Sequence, residues 1–241
     1  MSDTFEADNR RDIAALGKDA DFRGKSLDWL LHSARHRYSY HFRWLGLPII
    51  QYPQDVLVLQ ELIWETRPDL VIETGIARGG SLIFYASLME LLGGDGHVIG
   101  IDVEIRPANR QAVEQHPLAK RVTMFEGSSI SSEIVRRVKE LAAGRRVFVV
   151  LDSNHTHEHV LEELRAYSPL VAKGSYLVVL DTIIEDMPSE FPNRPWGKGN
   201  NPKTAVWEFL GENQRFVIDT ELVNKMQVTV GPDGYLKCVK D

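Results

Sequence analysis

Hydrophobic positions along the chain alternate between short continuous runs and helical stripes. Leu70-Val-Ile72, His97–Ile101, Arg121–Phe125, Arg146–Leu151 and Ser175–Leu180 are apolar runs bounded by polar or turn residues. Such runs are what parallel strands, covered on both faces, look like. Between them the spacing turns helical. Val56, Leu57, Leu59, Leu62 and Ile63 mark one helix over 54–66, and Leu82 to Leu92 mark a second. Further helices are predicted from Pro107 to about Glu114, from Ser131 and Glu133 to near Gly144, and after His159 to Tyr167. Asn201-Pro202 caps another, through Leu210. Phe216–Ile218, Met226–Val230 and Tyr235–Val239 read as strands, the last two separated by a Gly231-Pro-Asp-Gly234 turn. Strands alternating with helices, then a short antiparallel ending, imply a doubly wound, mainly parallel α/β sheet.

Ligands of such sheets lie beyond the carboxyl ends of the strands. Glu73, Asp102, Ser128, Asp152 and Asp181 all stand at those ends. The stretch from Asp69 to Ser81 reads as a buried strand, a turn with Gly75, Gly79 and Gly80, and a helix start. Its glycines let the backbone approach a ligand closely, and Gly80 or Ser81 can cap the helix. Asp102 ends the next strand, where a carboxylate can accept the hydroxyls of a ribose. The glycine spacing is not G-x-G-x-x-G, and Glu73 suits a pyrophosphate badly. An acidic turn fits a nucleoside cofactor with a cationic end, such as S-adenosylmethionine.

A second constellation lies further along the rim. Asp152 and Asp181 end strands expected to be neighbours, and two carboxylates there repel. A divalent ion relieves this, and hard oxygen donors favour Mg²⁺. Glu185 and Asp186 follow closely enough to complete the shell. His155, three residues after Asp152, is a candidate general base. His157 and His159 are so near that any of the three can face the pocket. The His-x-His-x-His spacing is not the i, i+4 pair of zinc proteases.

Composition narrows the classes. The 241 residues are 43% hydrophobic and 26% charged, enough for one large domain. The net charge of −6 argues against non-specific nucleic-acid binding. One cysteine, Cys238, excludes an internal disulfide and a cysteine-built zinc site. No apolar run approaches the ~20 residues of a membrane span. The polar start lacks a signal-peptide pattern, so a cytoplasmic protein is expected. Residues 1–45 read as a helical, aromatic-rich extension ahead of a domain over 46–241. The first 25 residues are a loose arm or surface helix. Ser26 to Trp44, mixing aromatic and basic residues, reads as cover for one core edge or a contact in a homo-oligomer, with a place in the substrate pocket as its other use. Leu47 to Pro53 is expected to be extended. The long segment from Glu185 to Pro202, with Arg194, Trp196, Lys198 and Asn200, is expected to close over the acceptor.

Glu-Thr-Gly-Ile-Ala-Arg-Gly-Gly-Ser, Gly-Ile-Asp, Gly-Ser-Ser, Leu-Asp-Ser-Asn-His and a Gly-Ser-Tyr strand ending in Asp-Thr occur in that order. From about Tyr38 to Tyr235 the chain resembles the family named for cephalosporin hydroxylase, which also contains rhamnosyl O-methyltransferases. The resemblance implies a Rossmann-like class I methyltransferase with a seven-stranded sheet, S-adenosylmethionine as donor and Mg²⁺ as second cofactor. It implies a small-molecule or glycan acceptor. It places Glu73, Gly75, Gly79 and Ser81 around the methionine end, Asp102 at the ribose, and Ser128 and Ser129 near the adenine. Asp152 and Asp181 match the magnesium carboxylates, with Asp152 also on the cofactor side, and His155 matches the base. The family pattern often has Glu-Asp where this chain has Leu180-Asp181, so one magnesium ligand is missing or replaced, with Glu185 as the candidate. Two rival readings are a non-haem iron hydroxylase and a non-catalytic scaffold that keeps the cofactor pocket. No histidine here has an acidic residue two positions on, which the commonest iron motif requires.

Overall fold

A computed structural model describes residues 3–187 and 193–241. The chain opens with helices α1 (Asp3–Leu16) and α2 (Ala20–Arg35), then a small hairpin of β1 (Arg43–Trp44) and β2 (Leu47–Pro48). There follow α3 (Pro53–Thr66), β3 (Leu70–Thr74), α4 (Gly80–Leu92), β4 (His97–Asp102), α5 (Pro107–Glu114) and β5 (Val122–Glu126). Next come α6 (Ser132–Ala142), β6 (Val147–Leu151), α7 (His157–Tyr167) and β7 (Tyr176–Val179). The chain ends with α8 (Pro202–Glu212), β8 (Phe216–Ile218), α9 (Thr220–Met226) and β9 (Tyr235–Cys238).

The main sheet has seven strands in the order β5-β4-β3-β6-β7-β9-β8. The first five are parallel, and β9 runs antiparallel between β7 and β8. Alternation along each buried strand feeds two cores. Leu70, Ile72, Val147, Val149 and Leu151 join residues of α6, α7 and α8 on one face. Val71, Val98, Phe148, Val150 and Val178 join α3 and α4 on the other. Both faces are apolar because both are covered by helices.

Register then decides what meets at the rim. Thr74 pairs with Ile101 on one side and with Leu151 on the other, while Leu151 pairs with Val179. Residues 75, 102, 152 and 180 therefore leave the sheet at one level. Gly75 has φ of 93°, and a Cβ there would lie 2.0 Å from the Asp152 carbonyl oxygen. Only glycine lets β3 turn so close to β6.

Two expectations are corrected and one is narrowed. Met226–Val230 is not a strand: Met226 closes α9, and Gln227, with φ of 59°, turns the chain away. Residues 229–230 are held instead by Asp55, which accepts bonds from the Thr229 hydroxyl and, at 3.1 Å, from the Val230 amide. Of the two alternatives for the first 25 residues the helix is found: residues 3–25 hold α1 and the start of α2, with α1 packed on α9. Finally, Ser81 does not cap α4. Gly79 (φ 81°) occupies the cap position without a side-chain bond, and the Ser81 hydroxyl turns to Glu73. Leu47–Pro48 is extended as expected, whereas Pro53 opens α3.

Gly80 and Gly24 give opposite predictions. A Cβ at Gly80 would lie 2.2 Å from the Pro48 carbonyl oxygen, whereas Gly24, exposed within α2, meets nothing within 4 Å. Gly24→Ala should stabilise by about 0.5–1 kcal/mol, the usual helix preference for Ala. Gly80→Ala should lower the melting temperature despite lying at a helix start. Thermal denaturation of the two variants checks both signs.

Candidate active site

The strand ends open into one cleft of about 770 Å³. Gly75, Asp102, Ser128, Ser129, Asp152, His155 and Asp181 line it. Glu73, Gly79, Ser81 and Glu185 do not.

Asp102 organises the turn as well as facing the cleft. Its Oδ2 accepts from the Ile76 amide at 2.9 Å and the Ala77 amide at 3.3 Å, and its Oδ1 from the Glu104 amide at 3.2 Å. A carboxylate offers about four lone-pair directions, so capacity remains for a hydroxyl. Ser129 is buried and spends its hydroxyl on Glu163, at 2.5 Å. Glu163, fully buried, also accepts from Ser153 at 2.7 Å and lies 3.4 Å from His159.

Glu73 is fully buried behind the turn and accepts from Ser81 Oγ at 2.6 Å. Burial, opposed in part by the bonds from Ser81 and Tyr85, pushes its pKa up to about 8. It is therefore a support beneath the turn rather than an exposed carboxylate on the rim.

Asp152, His155 and Asp181 form the acidic cluster, with one ligand atom from each within 4.8 Å of the others. His155 Nε2 lies 3.1 Å from Asp181 Oδ2. Burial first, and the Asp181 carboxylate next, hold the Asp152 carboxyl well above the usual range. Among the described residues neither carboxylate has a Lys or Arg partner in an ion pair. Two hard carboxylates that disfavour each other's charge in a cleft are a fit for a divalent cation such as Mg²⁺. The cluster carries one histidine and two carboxylates, the reverse of the facial triad of iron oxygenases.

Glu185, the expected third ligand, stands outside the Asp152–His155–Asp181 cluster: its Oε2 accepts from the Gly199 amide at 2.8 Å and Asn201 Nδ2 at 2.5 Å. Leu180, at the register position beside Asp152, is buried in the core. Asp181 reaches the cleft from a left-handed turn, φ 56°. His157 turns to α8, bonding Thr204 at 2.8 Å and Glu208 at 3.1 Å, so His155 is the histidine that meets the cluster. Trp196 stands edge-on to His155, ring centroids 5.7 Å apart, and lines the cleft. Asn200 holds His157 N at 2.9 Å. The part of the expected closing loop at 188–192 lies outside the described residues. Leu30, Ala34, Arg37, Ser39 and Tyr40 also line the cleft, so the N-terminal aromatic segment does enter the pocket.

The family model described as Rhamnosyl O-methyltransferase/CmcI matches residues 36–239. The chain belongs to that family. It is 32% identical over 200 residues to the rhamnosyl O-methyltransferase of Mycobacterium bovis (strain BCG / Pasteur 1173P2), covering 80% of this chain and 76% of that protein. It is also 32% identical over 199 residues to the Mycobacterium leprae (strain TN) rhamnosyl O-methyltransferase, covering 80% and 81%. Among solved structures, apo CmcI superposes with a TM-score of 0.57 at 21% identity, over 84% of this chain and 78% of that one. CmcI with Mg and SAM gives 0.55 at 21%, over 83% and 77%. These two likenesses establish the class I methyltransferase fold.

Sequence reasoning missed Gln51 and Glu163. Glu163 had a signal: it stands at i+4 from His159 on α7, so the two share a helix face. Gln51, between two prolines, carried none.

Glu73 yields a pH prediction. A carboxyl with a raised folded pKa contributes stability that is complete below its unfolded pKa and lost as pH rises through the folded value. Here the window runs from the ordinary carboxylate range up to about 8. The donor-free protein should lose thermal stability as pH rises across that window, and Glu73→Gln should flatten the loss. Melting curves from about pH 5 to about pH 9 check this.

Proposed function

We propose that this S-adenosylmethionine-dependent O-methyltransferase acts on a hydroxyl of a sugar unit, carried by a glycan or a natural product, with Mg²⁺ held by Asp152 and Asp181. What supports the reading is the single cleft that joins Asp102 and the glycine turn to the Asp152–His155–Asp181 cluster. The relatives named for O-methylation of a rhamnosyl group support a deoxysugar acceptor.

Bound Mg²⁺ would polarise an acceptor oxygen and lower the pKa of its hydroxyl. The chain's own groups do the rest. Asp102 and the turn that it braces receive the donor's ribose, with Ser128 beside it. His155 takes the acceptor's proton. The imidazolium so formed is stabilised by Asp181 Oδ2, which lies 3.1 Å from Nε2. Ile183, Ile184, Met187 and Val230 give the acceptor side an apolar wall that limits water. Trp196, edge-on to His155, presents ring surface to the C–H face of a sugar. Much of the rate is then orientation of the hydroxyl against the donor's methyl group.

Asp152→Ala should lower turnover by about 10³-fold or more, since it removes both charge stabilisation and acceptor positioning. Binding of S-adenosylmethionine should stay within a few-fold. Release of S-adenosylhomocysteine, measured with a panel of rhamnosides and other deoxysugar glycosides, reads turnover, and calorimetry reads donor binding. Equal loss of both would show that Asp152 serves the donor. Donor binding with no methylation of any glycoside would remove the sugar acceptor.

A further inference from the structure

The acidic cluster is short of oxygen. Asp152 and Asp181 supply the carboxylates, Leu180 is in the core, and Glu185 is bound elsewhere. Divalent hard cations take six or more donors, mostly oxygen, and side-chain amide carbonyls are among them. Water completes many such shells, but one side chain at the cluster has an unused oxygen.

Gln51 lines the cleft and is only 5% exposed. Its Nε2 donates to Asp152 Oδ2 at 3.1 Å. Among the described residues its Oε1 is buried without a hydrogen-bond partner. A buried, unsatisfied carbonyl costs about 1–3 kcal/mol and calls for an explanation. Gln54 Oε1 and Gln227 Oε1 are also unpartnered, but Gln51 is the glutamine whose amide touches a cluster carboxylate.

The backbone fixes this placement. Residues Ile49 and Tyr52, on either side, are 3% and 4% exposed. The Ile49 amide donates to the Phe42 carbonyl at 3.1 Å, and the Tyr52 hydroxyl meets Ser33 Oγ at 2.9 Å. Gly80 admits the Pro48 carbonyl against the start of α4, where a Cβ would lie 2.2 Å from that oxygen. The segment ahead of α3 is therefore pressed onto the rim, and Gln51 arrives at Asp152 on a rigid support.

We propose that Gln51 supplies a neutral oxygen donor to the divalent ion held by Asp152 and Asp181. The inference rests on the metal reading given under the proposed function. It makes the site a two-carboxylate site with no net charge once the ion is bound. Gln51 also clamps Asp152 through its amide nitrogen, so donor and clamp are one side chain.

The test is Mn²⁺ binding to the full chain, read by electron paramagnetic resonance of the free ion, without donor or acceptor. Gln51→Leu should weaken Mn²⁺ about tenfold or more, the loss typical when a group supporting a metal site is removed. Gln51→Glu should tighten it by about tenfold, because a carboxylate replaces a neutral oxygen. A gain of affinity cannot arise from misfolding. Calorimetric binding of S-adenosylmethionine should be the same in all three proteins. Equal Mn²⁺ affinity in wild type, Gln51→Leu and Gln51→Glu would overturn the Gln51 inference alone. A wild type that ignores Mn²⁺, as Asp152→Ala should, would overturn the metal reading beneath it.

Discussion

The site depends on the parallel ladder that ends its strands at one level. Thr74, Ile101 and Leu151 sit side by side, and Val179 is level with Leu151. The next residues thus leave the sheet together. Gly75 approaches the Asp152 carbonyl so closely that no side chain fits between them. This close approach brings Asp102, with the turn it braces, and the acidic pair Asp152 and Asp181 into one cleft. Without it the two constellations would be separate pockets. A methyl donor and an acceptor hydroxyl have to meet within bonding distance.

Electrostatics follow from this geometry. The chain collects Glu73, Asp152 and Asp181 near one another, and burial pushes Glu73 and Asp152 toward their neutral forms. Such an arrangement is costly in the empty protein. On the proposed function, positive partners would resolve it: a divalent ion at the cluster and the cationic donor beside it. The functional site is therefore built from groups that are under-satisfied by the protein alone, as functional carboxylates commonly are. Asp55, fully buried and pushed up to about 6 mainly by burial, follows the opposite course. It is satisfied within the protein by Thr229, Tyr235 and the Val230 amide, and it serves structure.

Much of this was legible in the sequence. The short continuous apolar runs located the five parallel strands, because strands covered on both faces leave that mark. The polar residue ending each strand marked the rim, so Asp102, Asp152 and Asp181 were found without coordinates. What failed was whatever depended on side-chain direction. Ser81 looked like a cap but bonds Glu73. The partners of Glu185 Oε2, Gly199 and Asn201, were likewise not legible. Val228 and Val230 alternate like a strand, yet Asp55, far away in sequence, holds that segment as a loop. Gln51 left no local signal, since its role comes from where Pro48 meets Gly80.

The most direct test is a crystal structure of the protein with Mn²⁺ and S-adenosylhomocysteine, read by the anomalous signal of the ion. The account predicts one strong peak between Asp152 and Asp181, with the ribose hydroxyls against Asp102. A metal peak elsewhere, or a nucleoside bound away from Asp102, would contradict it.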